Sequence, residues 1–484
     1  MILRKLIFLF ASIGIGLEIG AQTPLEQYNS FKEEVIQNYN SFRDECNQKY
    51  ADFLRTAWDW YQGNTPLPIP KEKSPIPPRQ YEPIDKSPIA VEPTPVKPFE
   101  PKPQPKPISP IKENANPADV LFPVKFFGIT SEIRLPEAAK SKLRDASPNA
   151  LGKAWEDLST GEMNNAIRDC LETRIRYNLC DWAYLQFLQS LASQYCSDPN
   201  SATLLTAFLY CQSGYQMRLG EDNGRLVLLI SCEQDIYDMP YYTIGGTAFY
   251  PIGKTSRQLK ICKADFEGET PLSLYINEEQ LLGTELSKAR SIKSREFPEV
   301  EATSNVPIEL INFFNEYPTS VASNNPLTRW AMYANTPLAE KTKQRLYPDL
   351  KKSIEGDSPL EAANKLLNWV QTGLVYEYDD KVWGYDRVFF AEETLYYPYA
   401  DCEDRAILFS RLIRDLLGLD VALIFYPGHL ATAVKFDSAV TGDAMIIDGK
   451  RYVVCDPTYI GAPVGKQMPN LEYDKSKAIL LSRK

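Results

Sequence analysis

The sequence predicts a mixed α+β protein, because helical and strand-like patterns follow one another in blocks along one chain. Apolar residues recur at helical spacing between residues 150 and 213, and short β-type runs follow between 215 and 276. Near the C-terminus an amphipathic helical stretch is again followed by apolar strands. A chain of 484 residues exceeds one ordinary core, so we expect two or three structural units.

The composition is that of a globular protein without a general nucleic-acid-binding surface. Apolar residues make up 44% of the chain and charged residues 24%. The net charge is -10 and the isoelectric point lies near 5.1, whereas a nucleic-acid binder needs a basic face. We therefore expect no nucleic-acid partner.

Residues 1–21 are predicted to be a secretory signal peptide. Arg4 and Lys5 precede an apolar run that ends in small residues at Gly20 and Ala21. The run is too short to span a bilayer comfortably, so no membrane span is expected after cleavage near Ala21. We therefore predict an exported protein of a Gram-negative bacterium, either periplasmic or extracellular and at the cell surface.

Residues 22–62 are predicted to form an amphipathic helix with an internal repeat. Aromatic residues recur with an eleven-residue period, and the word Tyr-Asn-Ser-Phe occurs at both 28–31 and 39–42. Eleven residues make about three helical turns, so the apolar stripe stays on one face. The stripe must be buried, either against the chain's own globular body or in a coiled-coil homo-oligomer formed through residues 25–60.

Residues 63–117 are predicted to be a proline-rich linker. Proline lacks the amide donor and fixes φ, so neither helix nor sheet should persist there. We expect an extended polyproline II spacer between the N-terminal helix and the globular units.

Residues 118–300 are predicted to be an α+β middle domain, with four helical patterns followed by five strand-like runs. No catalytic constellation is apparent in this region, which holds no histidine. The domain could bind substrate, cover an active site or serve as a folding unit.

The chain has nine cysteines. Because this number is odd, at least one thiol must be free or intermolecular even if the others pair. Core thiols and disulfide bridges both fit their apolar surroundings. The chain has a single histidine and no CxxC spacing, so we expect no structural zinc and no metal site.

Residues 301–484 carry the candidate chemistry, beginning with Cys402. Asp401 is a natural N-cap, which places Cys402 in the first turn of an amphipathic helix that ends at Gly418. The partial positive charge of a helix N-terminus stabilises a thiolate and lowers its pKa, although Glu403 and Asp404 oppose this effect. The position predicts a nucleophile, and a partner base would support it.

His429 and Asp456 are the candidate partners of Cys402. His429 follows an apolar strand and a Pro-Gly turn and begins the next strand, and Asp456 ends a later strand. A carboxylate there can accept the second ring N–H of the imidazole and fix its tautomer.

The order Cys, His, Asp resembles papain-like enzymes in general and the transglutaminase-like superfamily in particular. The resemblance spans about the last quarter of the chain, with a core at 358–465, and Ala400 stands where the family usually has glycine. Its matching words are Asn368–Gln371, Val375–Tyr378, Ala391–Leu395, Asp401–Asp404, Gly428–His429 and Val454–Thr458.

The resemblance implies a Cys402-bearing helix packed on an antiparallel sheet, and hydrolysis of a peptide or amide bond through a thioester on Cys402. His429 would transfer protons, Asp456 would orient His429, and Trp383 is a candidate second oxyanion donor whose alternative role is a core or rim aromatic. No cofactor and no calcium site are implied. The expected partner is a protein or peptide, including cell-wall peptides.

Two other functions fit the same sequence. The first is a protein acyl transferase that forms cross-links, with an amine in place of water. The second is a non-catalytic binding or structural protein with a stalk and a spacer, against which the intact Cys, His and Asp count.

Overall fold

The computed structural model describes residues 24–70, 74–83, 87–98, 120–140, 143, 145–266 and 268–482. It is a mixed α+β protein with 36% helix, 26% strand and curled sheets, so the predicted class is confirmed at that level. The predicted signal peptide and residues 99–119 lie outside the described residues.

The described residues form helices and strands that alternate in blocks along the chain. The α-helices are α1 (Pro24–Thr56), α2 (Pro148–Leu158), α3 (Asn164–Arg176), α4 (Asp181–Tyr195), α5 (Pro199–Gln212), α6 (Ile308–Asn315), α7 (Thr328–Asn335), α8 (Glu340–Ser353), α9 (Pro359–Gly373), α10 (Asp379–Val382), α11 (Ala391–Tyr396) and α12 (Cys402–Leu417). The first twelve strands are β1 (Trp58–Gln62), β2 (Arg79–Gln80), β3 (Ala90–Val91), β4 (Thr94–Val96), β5 (Val120–Phe126), β6 (Ile129–Leu135), β7 (Met217–Asp222), β8 (Arg225–Ser231), β9 (Asp235–Ile236), β10 (Tyr242–Ile244), β11 (Thr247–Pro251) and β12 (Gln258–Cys262). The remaining strands are β13 (Arg290–Lys293), β14 (Glu301–Ser304), β15 (Ser320–Val321), β16 (Asp420–Tyr426), β17 (His429–Lys435), β18 (Ala444–Ile447), β19 (Lys450–Cys455), β20 (Tyr459–Ile460) and β21 (Lys477–Leu480).

The first large sheet curls until its two edges meet. Its six strands lie in the order β1–β12–β7–β8–β11–β10. Just beyond β1, the N–H of Asn64 donates to the carbonyl of Tyr241, at 2.7 Å, which joins the first edge to the last. One face of this sheet forms an apolar cluster of its own, made of Val227, Leu229, Tyr242, Ile244, Phe249, Leu259 and Ile261.

Helix α1 packs on the chain's own body near its C-terminal end. Tyr50 and Leu54 are buried, and the Tyr50 ring lies 4.6 Å from the ring of Trp155 in α2. Phe42 and Phe53, both in the predicted apolar stripe, are 39% and 45% exposed, so the docked face is rotated away from them. This packing corresponds to the alternative in which the helix is buried against the chain's own globular body. Self-association stays a prediction, for a face of α1 other than the docked one.

The second large sheet is also curled, and the proline-rich segment joins its two edges. Its seven strands lie in the order β3–β18–β19–β17–β16–β21–β4. Only residues 92 and 93 separate β3 from β4, which pair with opposite edges of the sheet. Because the three peptide steps between Val91 and Thr94 reach about 11 Å at most, the two edges must lie close together.

The described part of the predicted linker therefore differs from a free spacer. Residues 79–80 pair with β20, and the N–H of Ile76 donates to the carbonyl of Gly428, at 2.9 Å. The segment is extended, as expected, but it contributes edge strands, where a residue without an N–H is tolerated. The expectation that no sheet persists in residues 63–117 is corrected at these positions.

The predicted boundary at residue 300 falls inside a structural unit. Strands β13 and β14 pair across it, and the indole N–H of Trp369 in α9 donates to the carbonyl of Ile292, at 2.8 Å. One continuous apolar core runs from α1 to α12, so the middle and C-terminal regions share it. Among the helices described, none is both long and apolar enough to cross a membrane.

Candidate active site

Cys402 is the first residue of α12, as the sequence predicts. The carboxylate of Asp404, one turn into the helix, accepts the N–H of Asp401 at 3.2 Å and the N–H of Phe389 at 2.9 Å. These bonds fix the chain that enters the helix and hold a second loop against it. Gly418 ends the helix in the left-handed conformation, with φ of 67°, which glycine adopts at little cost.

Arg405 fastens the approach to Cys402 from inside the core. Its fully buried guanidinium donates to three backbone carbonyls, those of Gln371 at 3.1 Å, Leu374 at 2.9 Å and Ala400 at 3.4 Å. The end of α9 is thereby tied to the residue two before the cysteine. This role was not predicted, because a sequence does not show that a helical arginine faces inward.

His429 and Asp456 meet because of the register between β17 and β19. Thr432 lies opposite Cys455, so the start of β17 lies beside the residue that follows β19. His429 Nε2 is 2.8 Å from Asp456 Oδ2, and the two residues are 2% and 1% exposed. The N–H of Thr458 donates to Asp456 Oδ1 at 2.9 Å, which leaves the carboxylate fixed at both oxygens.

The other ring nitrogen of His429 is free to act on a neighbour. Nδ1 is buried and has no hydrogen-bond partner among the described residues. A buried polar atom without a partner is costly and commonly marks a functional position. With Nε2 committed to Asp456, Nδ1 is the atom that can accept a proton.

Gln371 in α9 supports the loop that carries Asp456. Its amide N–H groups donate to the carbonyls of Asp456 and Ala462, both at 3.0 Å, and its oxygen accepts the N–H of Gly461 at 3.1 Å. In the sequence, Gln371 stood out only as part of the resemblance. In the structure its buried side chain links α9 to the loop that carries Asp456 through these three hydrogen bonds.

The sulfur of Cys402 lies between a carboxylate and the strand of His429. It is 3.1 Å from Glu403 Oε2, and the backbone of Leu430, the residue after His429, lowers the pKa of the thiol. Burial first, and then the charges of Glu403 and Asp401, raise the pKa of the Cys402 thiol well above its ordinary value. The expected lowering of this pKa by the helix N-terminus is therefore corrected.

Two carboxylates, those of Glu403 and Asp401, lie beside the sulfur, and further buried acidic residues lie near them. Burial, together with the charge of Glu403, raises the pKa of Asp379 to about 7, and burial likewise raises the pKa of Asp401 and Asp404. Ligand atoms of Asp401, Cys402 and Glu403 all lie within 4.8 Å of one another, so these three residues could hold a metal ion. The sequence predicted no metal site at this position.

All nine cysteines are free thiols, so the structure contains no disulfide bridge. Burial raises the pKa of Cys170, Cys180 and Cys455 as well, because each thiol is enclosed by the protein. What distinguishes Cys402 is therefore its position at the start of a helix that packs on the strand beginning with His429.

Two aromatic residues of the region that precedes Cys402 have different surroundings. The ring of Trp383 packs on Tyr397 at 4.9 Å and on Phe389 at 5.8 Å, and the guanidinium of Arg387 lies 4.3 Å from it. This packing fits the rim-aromatic alternative. The hydroxyl of Tyr376 is instead buried without a hydrogen-bond partner among the described residues, and in the sequence this residue stood out only as part of the resemblance.

Comparisons with known proteins add no family to this geometry. No family model matches the chain, and it has no match among the curated proteins or the solved structures compared with it.

Proposed function

We propose that the chain is an exported cysteine enzyme of transglutaminase-like type that hydrolyses peptide or amide bonds through a thioester on Cys402. The observation that carries this proposal is the buried, hydrogen-bonded pair of His429 and Asp456. The Nδ1 atom of His429 has no partner among the described residues, and the next residue, Leu430, acts on the Cys402 sulfur. Three separate segments of the chain supply Cys402, His429 and Asp456. A helix bearing the cysteine against an antiparallel sheet, the papain-like arrangement, is part of the proposal.

The first chemical step would be proton removal from Cys402. Because the pKa of the thiol is raised, the sulfur is protonated near neutral pH and needs a base during attack. His429 Nδ1 accepts this proton while Sγ forms a bond to the substrate carbonyl carbon. Asp456, hydrogen-bonded to Nε2, keeps the ring in the tautomer with Nδ1 unprotonated and stabilises the imidazolium that forms.

The second step releases the amine and leaves the thioester. The imidazolium of His429 gives its proton to the leaving nitrogen as the carbon–nitrogen bond breaks. Water, deprotonated by the same imidazole, then attacks the thioester, and the proton returns to the Cys402 sulfur. The products are a carboxylic acid and an amine, so the sequence of steps is a hydrolysis.

A peptide-library digest tests this function directly. The full chain should cleave a subset of peptides, and Cys402→Ala should abolish cleavage while leaving the circular-dichroism spectrum unchanged. Adding a primary amine separates the two acyl acceptors, since a transferase would convert the same sites to amides. Cleavage that persists in Cys402→Ala, or a complete lack of acyl transfer to water and amine, would refute the proposal.

A further inference from the structure

The segment that follows α9 places a tyrosine at the N-terminal end of α12. Val375 forms a parallel bridge with Tyr399, and the N–H of Ala400 donates to the carbonyl of Val375, at 3.0 Å. Tyr376, the next residue, is therefore held alongside the chain that leads into Cys402. The backbone pairing alone brings the two residues into the same neighbourhood.

The ring of Tyr376 is fixed from two sides. The guanidinium of Arg405 lies 5.2 Å from the ring centroid, and the ring of Tyr378 meets it edge-on at 5.4 Å. Arg405 is one turn beyond Cys402 and also binds the carbonyl of Ala400. The same side chain therefore orients both Tyr376 and the backbone that leads into Cys402. A cation over a ring face stabilises this placement.

The hydroxyl of Tyr376 lacks what a buried phenol normally has. Its oxygen is enclosed by the protein and meets no hydrogen-bond partner among the described residues. Burial, and then the charges of Cys402 and Asp401, raise the pKa of this hydroxyl far above its ordinary value. The group therefore keeps its proton and can only be satisfied by an acceptor that arrives from outside the fold.

We propose that Tyr376 is the second oxyanion donor of the Cys402 reaction, a deepening that rests on the proposed function. As Sγ bonds to the carbonyl carbon, the carbon–oxygen π pair moves to oxygen, and the proton of the thiol passes to His429. The resulting oxyanion accepts hydrogen bonds from the N–H of Cys402, which has no partner within the helix, and from the Tyr376 hydroxyl. Both bonds are lost again when the carbonyl re-forms and the amine leaves.

Tyr376→Phe in the full chain removes the donor and little else. Acylation of Cys402 by p-nitrophenyl acetate should slow by about 100- to 1,000-fold, because each oxyanion donor contributes a large factor to such a step. Alkylation of Cys402 by iodoacetamide, which forms no oxyanion, should change by less than about threefold. Tyr385→Phe, the same change at an exposed tyrosine outside this backbone bridge, should leave both rates unchanged.

The alternative outcomes are distinct. Equal loss of both rates would make Tyr376 a residue that positions the thiol, and no loss of the acylation rate would remove it from the reaction; either result overturns the proposal. Wild-type Cys402 that reacts with neither reagent would instead refute the proposed function itself, and this inference with it. A purely structural role also predicts a lower unfolding temperature for Tyr376→Phe, whereas loss of an unpaired buried hydroxyl should leave it equal or raise it.

Discussion

Around Cys402, single residues act on the sulfur in opposite directions. The helix N-terminus and the backbone of Leu430 favour a thiolate, whereas burial and the carboxylate of Glu403 favour the thiol, and the pKa of Cys402 is raised as a result. In the reaction proposed above, a thiol with this balance depends on a base. The proposal therefore gives His429 a larger part in proton transfer than it would have in a preformed thiolate–imidazolium pair.

Glu403→Gln should make Cys402 easier to ionise. The substitution removes the carboxylate 3.1 Å from the sulfur, so the pKa of Cys402 should fall and the pH profile of its alkylation should move to lower pH. Iodoacetamide labelling across neutral and mildly alkaline pH, followed by mass spectrometry of the Cys402 peptide, measures this shift. Asp380→Asn, at an exposed carboxylate of α10, is the matched control and should leave the profile in place. An unchanged profile in Glu403→Gln would contradict the assigned cause of the raised pKa.

The helices and strands differ in how far short sequence patterns alone could predict them. Helices α9 and α12 were predictable from the residues at their ends. Ser358 and Glu361 form a capping box at the start of α9, and Gly418 ends α12. Strands β16, β17 and β19 were predictable from apolar runs, and they bring His429 to Asp456. The paths of residues 76–83 and 87–96 were not predictable, because proline content reports local backbone preference and not which sheet edge the chain meets. The inward roles of Gln371, Tyr376 and Arg405 depend on long-range packing for the same reason.

The docked face of α1 gives a test of that packing. Leu54→Ala should lower the free energy of unfolding by about 2–4 kcal/mol, because a fully buried leucine is truncated. Phe53→Ala, at the adjacent and exposed position, should cost less than about 1 kcal/mol. Urea denaturation of the full chain measures both values. A larger loss for Phe53→Ala, especially one that grows with protein concentration, would favour a self-associating stripe over the docked helix.

At the scale of the whole molecule, the two curled sheets and the helices share one apolar core, and acidic side chains are buried inside the protein as well. Burial raises the pKa of Glu392 to about 7 and that of Glu393 to about 7, even though Arg387 lies 2.6 Å from Glu393. Both carboxyls bind a proton more tightly in the folded protein than in the unfolded chain. Between about pH 4.5 and 7 the folded state therefore holds more protons, and these groups contribute stability that is lost as the pH rises.

Glu392→Gln should reduce this dependence on pH. The amide oxygen can still accept the N–H of Ala339, the bond that Glu392 makes at 2.6 Å, but it has no proton to lose. Unfolding midpoints in urea at about pH 5 and about pH 7.5 should therefore differ less in the variant than in the wild type. Glu137→Gln, at an exposed carboxylate, should keep the wild-type difference. A variant as pH-dependent as the wild type would show that Glu392 is not the source.

The central claim is that His429 serves Cys402 as a base, and competitive labelling of all nine thiols tests it most directly. The folded chain is exposed briefly to iodoacetamide near neutral pH, and each cysteine peptide is quantified by mass spectrometry. Cys402 should be labelled much faster than the other eight, His429→Ala should remove that advantage, and Asp456→Ala should reduce it less. Labelling of wild-type Cys402 at a rate equal to or below that of the other eight thiols would contradict the claim.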